Sequence, residues 1–357
     1  MLTNLRIATY NCENLFSRPK VFGQSPERSK ELLGFVAELQ EALKNDVFDH
    51  QRIRQLKTKL KGFATVNDVR GKHATVPGAK EWFGWVELLR SDHTDASVEN
   101  TARVIADVNA DIICLMEVED RNLLQKFHDG LLSKQHAVVH GAPAGGGPCY
   151  EYVLLIDGND ARGIDVAVLS RFPVSWLRTH IHERTLYDGR SVPLFSRDCL
   201  EAQITLPKRK RLHLLINHFK SMGYFPPTDK NSVRRRLGQA TRVAELLDAH
   251  KLDKQFVVVA GDLNSAPDSP SLAPLVSHPD LYNVNLEFPE TQRGTYGTGK
   301  KQLDYLFISQ ALKQRLTGAQ LERRGVYTKT KWTPYPTVTS ERTQASDHSA
   351  VVADFQL

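Results

Sequence analysis

Cysteine is scarce in this chain. There are four in 357 residues (Cys12, Cys114, Cys149 and Cys199), and none forms a Cys-x-x-Cys pair, which argues against a zinc site. Cys12 and Cys114 lie in or beside apolar runs and read as buried free thiols. Long apolar runs are also missing. No stretch approaches the roughly 18 uninterrupted residues of a membrane span. The first ten residues lack a basic start followed by a long apolar core, so no secretory signal is read and a cytoplasmic location is expected. Residues 141–148 contain three successive glycines, but no lysine and no helix start follow, which excludes a phosphate-binding P-loop. Internal repeats and low-complexity linkers are absent. What remains is an ordinary globular composition, 41% hydrophobic and 25% charged. The net charge of +6 leans mildly toward a polyanionic partner.

The most informative stretch is Gln255-Phe-Val-Val-Val-Ala-Gly-Asp-Leu-Asn264. Its apolar run has the length and β-branched content of a buried strand. Gly261 permits a turn or a close backbone approach at the strand end. On extended backbone Asp262 and Asn264 would point to one side and Leu263 back into the core. The rest of the chain alternates in kind. Leu5-Arg-Ile-Ala-Thr-Tyr-Asn11 reads as a strand, and residues 25–61 as helix with a very basic end, residues 51–61. Residues 71–78 read as loop. Residues 99–109 have helical spacing and feed the strand Asp111-Ile-Ile-Cys-Leu-Met-Glu117. Further strands are read at 151–156, 164–170, 201–206, 212–220, 303–309 and 350–355, with a helix at 234–250. Alternating strands and helices predict one α/β (α+β) domain of stacked layers over residues 1–357, with a mainly helical insertion at about 25–85.

The strand ends share a chemistry. They carry Asn11, Glu117, His218 and Lys220, Asp262 and Asn264, Asp304, and Asp347 with His348. Oxygen donors with few nitrogens and no thiol suit a hard divalent cation, Mg²⁺ or Mn²⁺. The histidines beside them suit proton transfer and stabilisation of phosphoryl oxygens. Arg162, Arg197 and Lys220 can neutralise a phosphate.

Six short stretches resemble, in order, those of the endonuclease/exonuclease/phosphatase superfamily with the DNase I-like fold. They are Ala8-Thr-Tyr-Asn-Cys-Glu-Asn-Leu, Ile113-Cys-Leu-Met-Glu-Val, Asn217-His-Phe-Lys, Gly261-Asp-Leu-Asn, Leu303-Asp-Tyr-Leu and Ser346-Asp-His-Ser. The resemblance implies a four-layer sandwich, two central mixed β-sheets flanked by helices. It implies that Glu117 is the principal metal ligand, with Asn11 and Asp347 at the same ion. Asp262 resembles the carboxylate that orients or deprotonates the attacking water, and Asn264 a phosphate contact. His348 resembles the histidine beside the scissile phosphate, Asp304 its carboxylate partner, and His218 a second phosphate ligand. For the partner of His218, Glu151 and Asp165 are both candidates. Phe195-Ser-Arg197 resembles a strand whose arginine meets the substrate backbone. The implied function is a metal-dependent phosphodiesterase, first a nuclease on DNA or RNA. The alternatives are hydrolysis of a small-molecule or lipid-headgroup phosphate, and an inactive binding protein.

Overall fold

A computed structural model of the chain describes residues 4–45, 47–67, 85–90, 94–141, 147–223 and 228–357. The backbone forms two compact units, residues 1–15 with 93–357, and residues 16–92. The loop read at 71–78 and most of the glycine-rich stretch lie outside the described residues.

The larger unit holds two six-stranded sheets. From edge to edge the first runs Leu316–Glu322, Ala350–Gln356, Asn4–Leu15, Ile112–Val118, Asp165–Ser170, Tyr152–Leu155. The second runs Leu281–Asn283, Asp304–Ser309, Phe256–Asp262, Arg211–His218, Cys199–Thr205, Val174–Arg178. Period-two alternation builds the layers. Ile112, Cys114 and Met116 join Leu214, Ile216, Val258 and Ala260 in the core between the sheets. Ile113 and Leu115 face the other way, against Ala102, Val104 and Ile105 of the Asp95–Val108 helix. Leu215, Val257 and Val259 pack against Ala240 and Val243 of the Val233–Leu247 helix. Strands covered on both faces read as unbroken apolar runs. The order is therefore helices, sheet, sheet, helices, the DNase I-like arrangement expected.

Each sheet contains one parallel pair, Asn4–Leu15 with Ile112–Val118 and Arg211–His218 with Phe256–Asp262. These four strands all run toward one mouth. Their antiparallel neighbours Asp304–Ser309 and Ala350–Gln356 start there. The register of the second sheet places His218 opposite Asp262, and Asp262 opposite Asp304, in one row. Gly261 makes that row possible. Its φ is 138°, and a Cβ there would sit 1.8 Å from the Asn217 carbonyl oxygen.

The smaller unit has its own core. The helical reading of residues 25–61 resolves into two helices, Pro26–Ala42 and His50–Lys59. Ser25 and Asp49 cap them by accepting the Arg28 and Arg52 backbone N–H groups. Leu32, Val36, Leu39, Leu56 and Leu60 meet between them. A hairpin, Ala64–Asn67 with Trp85–Leu88, completes the unit.

Some elements were missed. The edge strands Val174–Arg178 and Leu316–Glu322 have no buried residue and lack an apolar run. The hairpin Arg184–Tyr187 with Arg190–Pro193 turns at Asp188-Gly189, a dipeptide that signals a tight hairpin because both residues adopt positive φ. The stretch around Arg197 is not a strand. Bends precede the strand that begins at Cys199.

His180 ties this sheet to its helix. Its ring lies buried between Glu183 and Glu201, 2.7 Å from each, and Arg242 of the helix pairs with Glu183 at 2.8 Å. Burial alone would lower the His180 pKa, but the two carboxylates outweigh it and raise it above 6.5. The stability this adds is complete below the unfolded value and lost as pH rises through the folded one. Glu183 and Glu201 are held below 4.5 by His180 and their arginines despite burial, so their share is lost on acidification. Denaturant unfolding across pH is expected to show wild type losing stability above neutrality, whereas His180→Gln starts lower and loses less. Parallel curves would contradict this. A second expectation is that Gly261→Ala costs about 2–5 kcal/mol in the same assay, the sum of left-handed strain and a backbone clash.

Candidate active site

The mouth opens as a cleft of about 370 Å³. Glu117, Arg162, Arg197, His218, Asp262, Asn264, Asp347 and His348 line it, together with Glu13, Asn14, Tyr296 and Lys301. Asn11 and Asp304 lie fully buried beneath. Lys220, also singled out in the sequence, does not line the cleft either. Its ammonium turns to the Ser221 hydroxyl at 3.1 Å.

Asp262 Oδ2 is the hub. It accepts the Asn11 amide at 3.1 Å and stands 3.7 Å from His218 Nε2 and 3.9 Å from His348 Nε2. Its other oxygen accepts the Asn264 backbone N–H at 2.8 Å. The strand ends at Asp262, and Asn264 has φ 49°, so the two side chains are placed by a tight turn and not by extended backbone. Leu263 is buried as expected. Burial, with the Asp304 and Glu117 charges, pushes the Asp262 carboxyl up to about 7 against the pull of His348.

The two histidines are in opposite states. His348 Nδ1 lies 2.8 Å from Asp304 Oδ2, which also accepts the Thr295 hydroxyl at 2.6 Å. Burial opposes charge on His348, but the Asp304 carboxylate wins and holds its pKa well above 6.5. His218 has no such partner. Its Nδ1 is buried with no hydrogen bond among the described residues. Neither carboxylate considered from sequence holds it: Asp165 accepts the Gly158 N–H, and Glu151 is exposed on the lining of a different cavity. Burial, then the charges of Arg197 and His348, keep His218 far below 6.5 and neutral.

The oxygen side is built on strained backbone. Glu13, Asn14 and Glu117 have φ of 48°, 61° and 62°. Glu117 Oε1 accepts the Asn11 amide at 3.2 Å and Oε2 the Asn14 N–H at 3.0 Å. Burial and the Asp347 charge push Glu13 up to about 7. Glu117, Glu13 and Asp347 thus present carboxylate oxygens at one side of the cleft. Asp262, Asp304 and His348 also bring one donor atom each within 4.8 Å of one another. That cluster is deeply buried and internally hydrogen-bonded, so the open carboxylate side is the better cation seat.

Arg162 and Arg197 are both anchored by Asp160, at 2.9 and 3.0 Å. Arg197 is buried and also donates to the Phe219 carbonyl at 3.1 Å. A short hairpin covers His348. The Ser349 N–H donates to the Thr295 carbonyl at 2.7 Å, and the Gly297 N–H to the Asp347 carbonyl at 2.6 Å. The Tyr296 ring sits edge-on to the imidazole, 4.9 Å between centroids. Gly294 passes so close to Gly299 that a Cβ would lie 1.9 Å from its carbonyl oxygen. Asp160, Thr295 and Tyr296 were not read as functional. Asp160 lies between the strands read at 151–156 and 164–170, and nothing local marks it, Thr295 or Tyr296.

The sequence profile of the Endonuclease/Exonuclease/phosphatase family matches residues 82–348. The chain belongs to this family, and with it to the phosphoester hydrolases. Among solved structures it is similar to the endonuclease/exonuclease/phosphatase from Bacteroides vulgatus, with 12% identity, 99% of each chain covered and a TM-score of 0.50. An endonuclease/exonuclease/phosphatase family protein from Bacteroides thetaiotaomicron has 12% identity over 100% of this chain and 98% of its own, with a TM-score of 0.50. Truncated Caenorhabditis elegans TDP2 has 18% identity over 73% of this chain and 90% of its own, at 0.47. The two Bacteroides likenesses are of fold alone. The comparison with curated proteins finds no match.

The opposed histidine states have a direct readout. In metal-free protein, His348 is expected to titrate above 6.5 in an NMR experiment, and Asp304→Asn should lower that midpoint sharply. An unchanged midpoint would break the Asp304–His348 pairing.

Proposed function

We propose that this protein is a divalent-metal-dependent nuclease that hydrolyses phosphodiester bonds of DNA or RNA by in-line attack of water. The observation that carries the reading is the convergence of Glu117, His218, Asp262 and His348 on a single cleft. Family membership supports the phosphoester chemistry. The arginines and the net charge of +6 favour a polyanionic substrate.

The cleft suits a hard cation. Glu117 accepts one hydrogen bond per carboxylate oxygen and keeps lone pairs for a ligand, beside Asp347 and Glu13. Glu117 and Asp347 would hold Mg²⁺ or Mn²⁺. The Asn11 amide nitrogen faces the Glu117 and Asp262 carboxylates while its oxygen accepts the Glu13 N–H, so as oriented it braces the seat. Bound there, the cation supplies counter-charge to the phosphoryl oxygens and the leaving oxygen.

The remaining steps belong to the side chains. Asp262, with a carboxyl near 7 and its oxygens oriented by Asn11 and Asn264, accepts the proton of the attacking water at Oδ2. His348, held as imidazolium by Asp304, neutralises charge on the equatorial oxygens. Neutral His218 offers Nε2 to the same phosphate. Asn264 donates one amide hydrogen to the Phe219 carbonyl and has a second to offer. Arg197 and Arg162, fixed by Asp160, face the substrate without the entropy cost of free side chains.

Purified protein with Mg²⁺ or Mn²⁺ is expected to cleave plasmid or single-stranded nucleic acid, and EDTA to stop it. His348→Ala and Asp262→Asn should each lower the rate at least about 100-fold with the fold kept by circular dichroism. Turnover of an inositol phosphate or lipid headgroup, with every nucleic acid left intact, would replace the nuclease reading.

A further inference from the structure

The chain's positive charge is concentrated in its smaller unit. Residues 16–92 hold 14 Lys and Arg against 10 Asp and Glu, a net +4 of the chain's +6. Within the unit the charge is sorted further. The Pro26–Ala42 helix carries four glutamates, whereas no Asp or Glu occurs between Asp49 and Asp68. That interval contains five basic residues.

Two of the five are committed inside the unit. Arg52 pairs with Glu38, and the Lys59 ammonium lies over the Phe35 ring at 4.2 Å. Arg54, Lys57 and Lys61 are exposed and have no ion-pair partner among the described residues. Arg54 and Lys57, three apart, share the exposed side of the His50–Lys59 helix, and Lys61 follows just past its end. The apolar side is spent: Leu56 and Leu60 are buried in the unit's own core. Lysines in a last helical turn also suit the helix dipole, which accounts for Lys57 and Lys59. It does not account for Arg54, for Lys61 beyond the helix end, or for the missing acids.

We infer that Arg54, Lys57 and Lys61 form a docking strip for the phosphate backbone of the nucleic-acid substrate, gripping it by charge and not by sequence. The identity of the polyanion rests on the nuclease reading above. An anionic membrane surface is the poorer fit, because this helix has no apolar face left to insert.

The test uses the full chain in EDTA and a fluorescent 30-nucleotide oligomer, single-stranded and duplex, titrated across salt concentrations. R54E/K57E/K61E is expected to bind at least about 10-fold more weakly near 0.1 M salt, with a log–log salt slope smaller by about 2 to 3. Its metal-dependent turnover of bis(p-nitrophenyl) phosphate should match wild type. R54Q/K57Q/K61Q guards against a folding defect: its melting temperature should be unchanged and its affinity intermediate. Wild-type affinity and slope in the Gln variant would overturn the proposal. So would a loss seen on phosphatidylserine vesicles but not on the oligomer. Strip-dependent binding without cleavage of any nucleic acid would sink the nuclease reading and leave the strip standing.

Discussion

The site depends on one backbone register. The Phe256–Asp262 strand lies between a parallel and an antiparallel neighbour, and the pairing sets His218, Asp262 and Asp304 side by side. A slip of one residue would turn Asp262 into the core and Leu263 into the cleft. The near-contact of Gly261 with the Asn217 carbonyl pins the strand at the end where the chemistry sits. The two parallel pairs do the rest. Strands that run outward end at the mouth and those that return begin there, so distant chain segments deliver side chains to one place.

Electrostatics then divides two similar imidazoles into different tools. Both are buried and close to Asp262. His348 has a carboxylate behind it; His218 has arginine charge nearby and an unbonded Nδ1. Desolvation lowers both, and only the first has a partner strong enough to reverse it. The cost is visible as left-handed backbone at Glu13, Asn14, Glu117 and Asn264, and as buried polar atoms without partners. The layers packed behind these positions, apolar on both sheet faces, hold that strain in place.

Much of this was legible in the sequence because buried strands announce themselves as apolar runs, and six of them carry polar residues at the mouth, four toward their finish and two at their start. Glu117 and Asp262 could be anticipated from those ends, whereas the Asp304–His348 approach was implied only by the family resemblance. The partner of His218 could not be anticipated, since no carboxylate among the described residues bonds its Nδ1. The half-exposed edge strands escaped because no periodicity marks them, although Asp188-Gly189 did signal a hairpin. Thr295, Tyr296 and Asp160 act through tertiary approach, which no local pattern records. The long basic interval was visible, but only the burial of Leu56 and Leu60 separates its inner face from its outer one.

The hairpin over His348 is fastened on both sides of the imidazole, at Thr295 through Ser349 and at Gly297 through the Asp347 carbonyl. Those two stitches separate the jobs of the segment. Its base is locked to residues 347–349, which carry His348, while residues 298–300 form the turn beyond the fastening. The tip can therefore change in sequence while the fastened base keeps its hold on the segment that carries the imidazole.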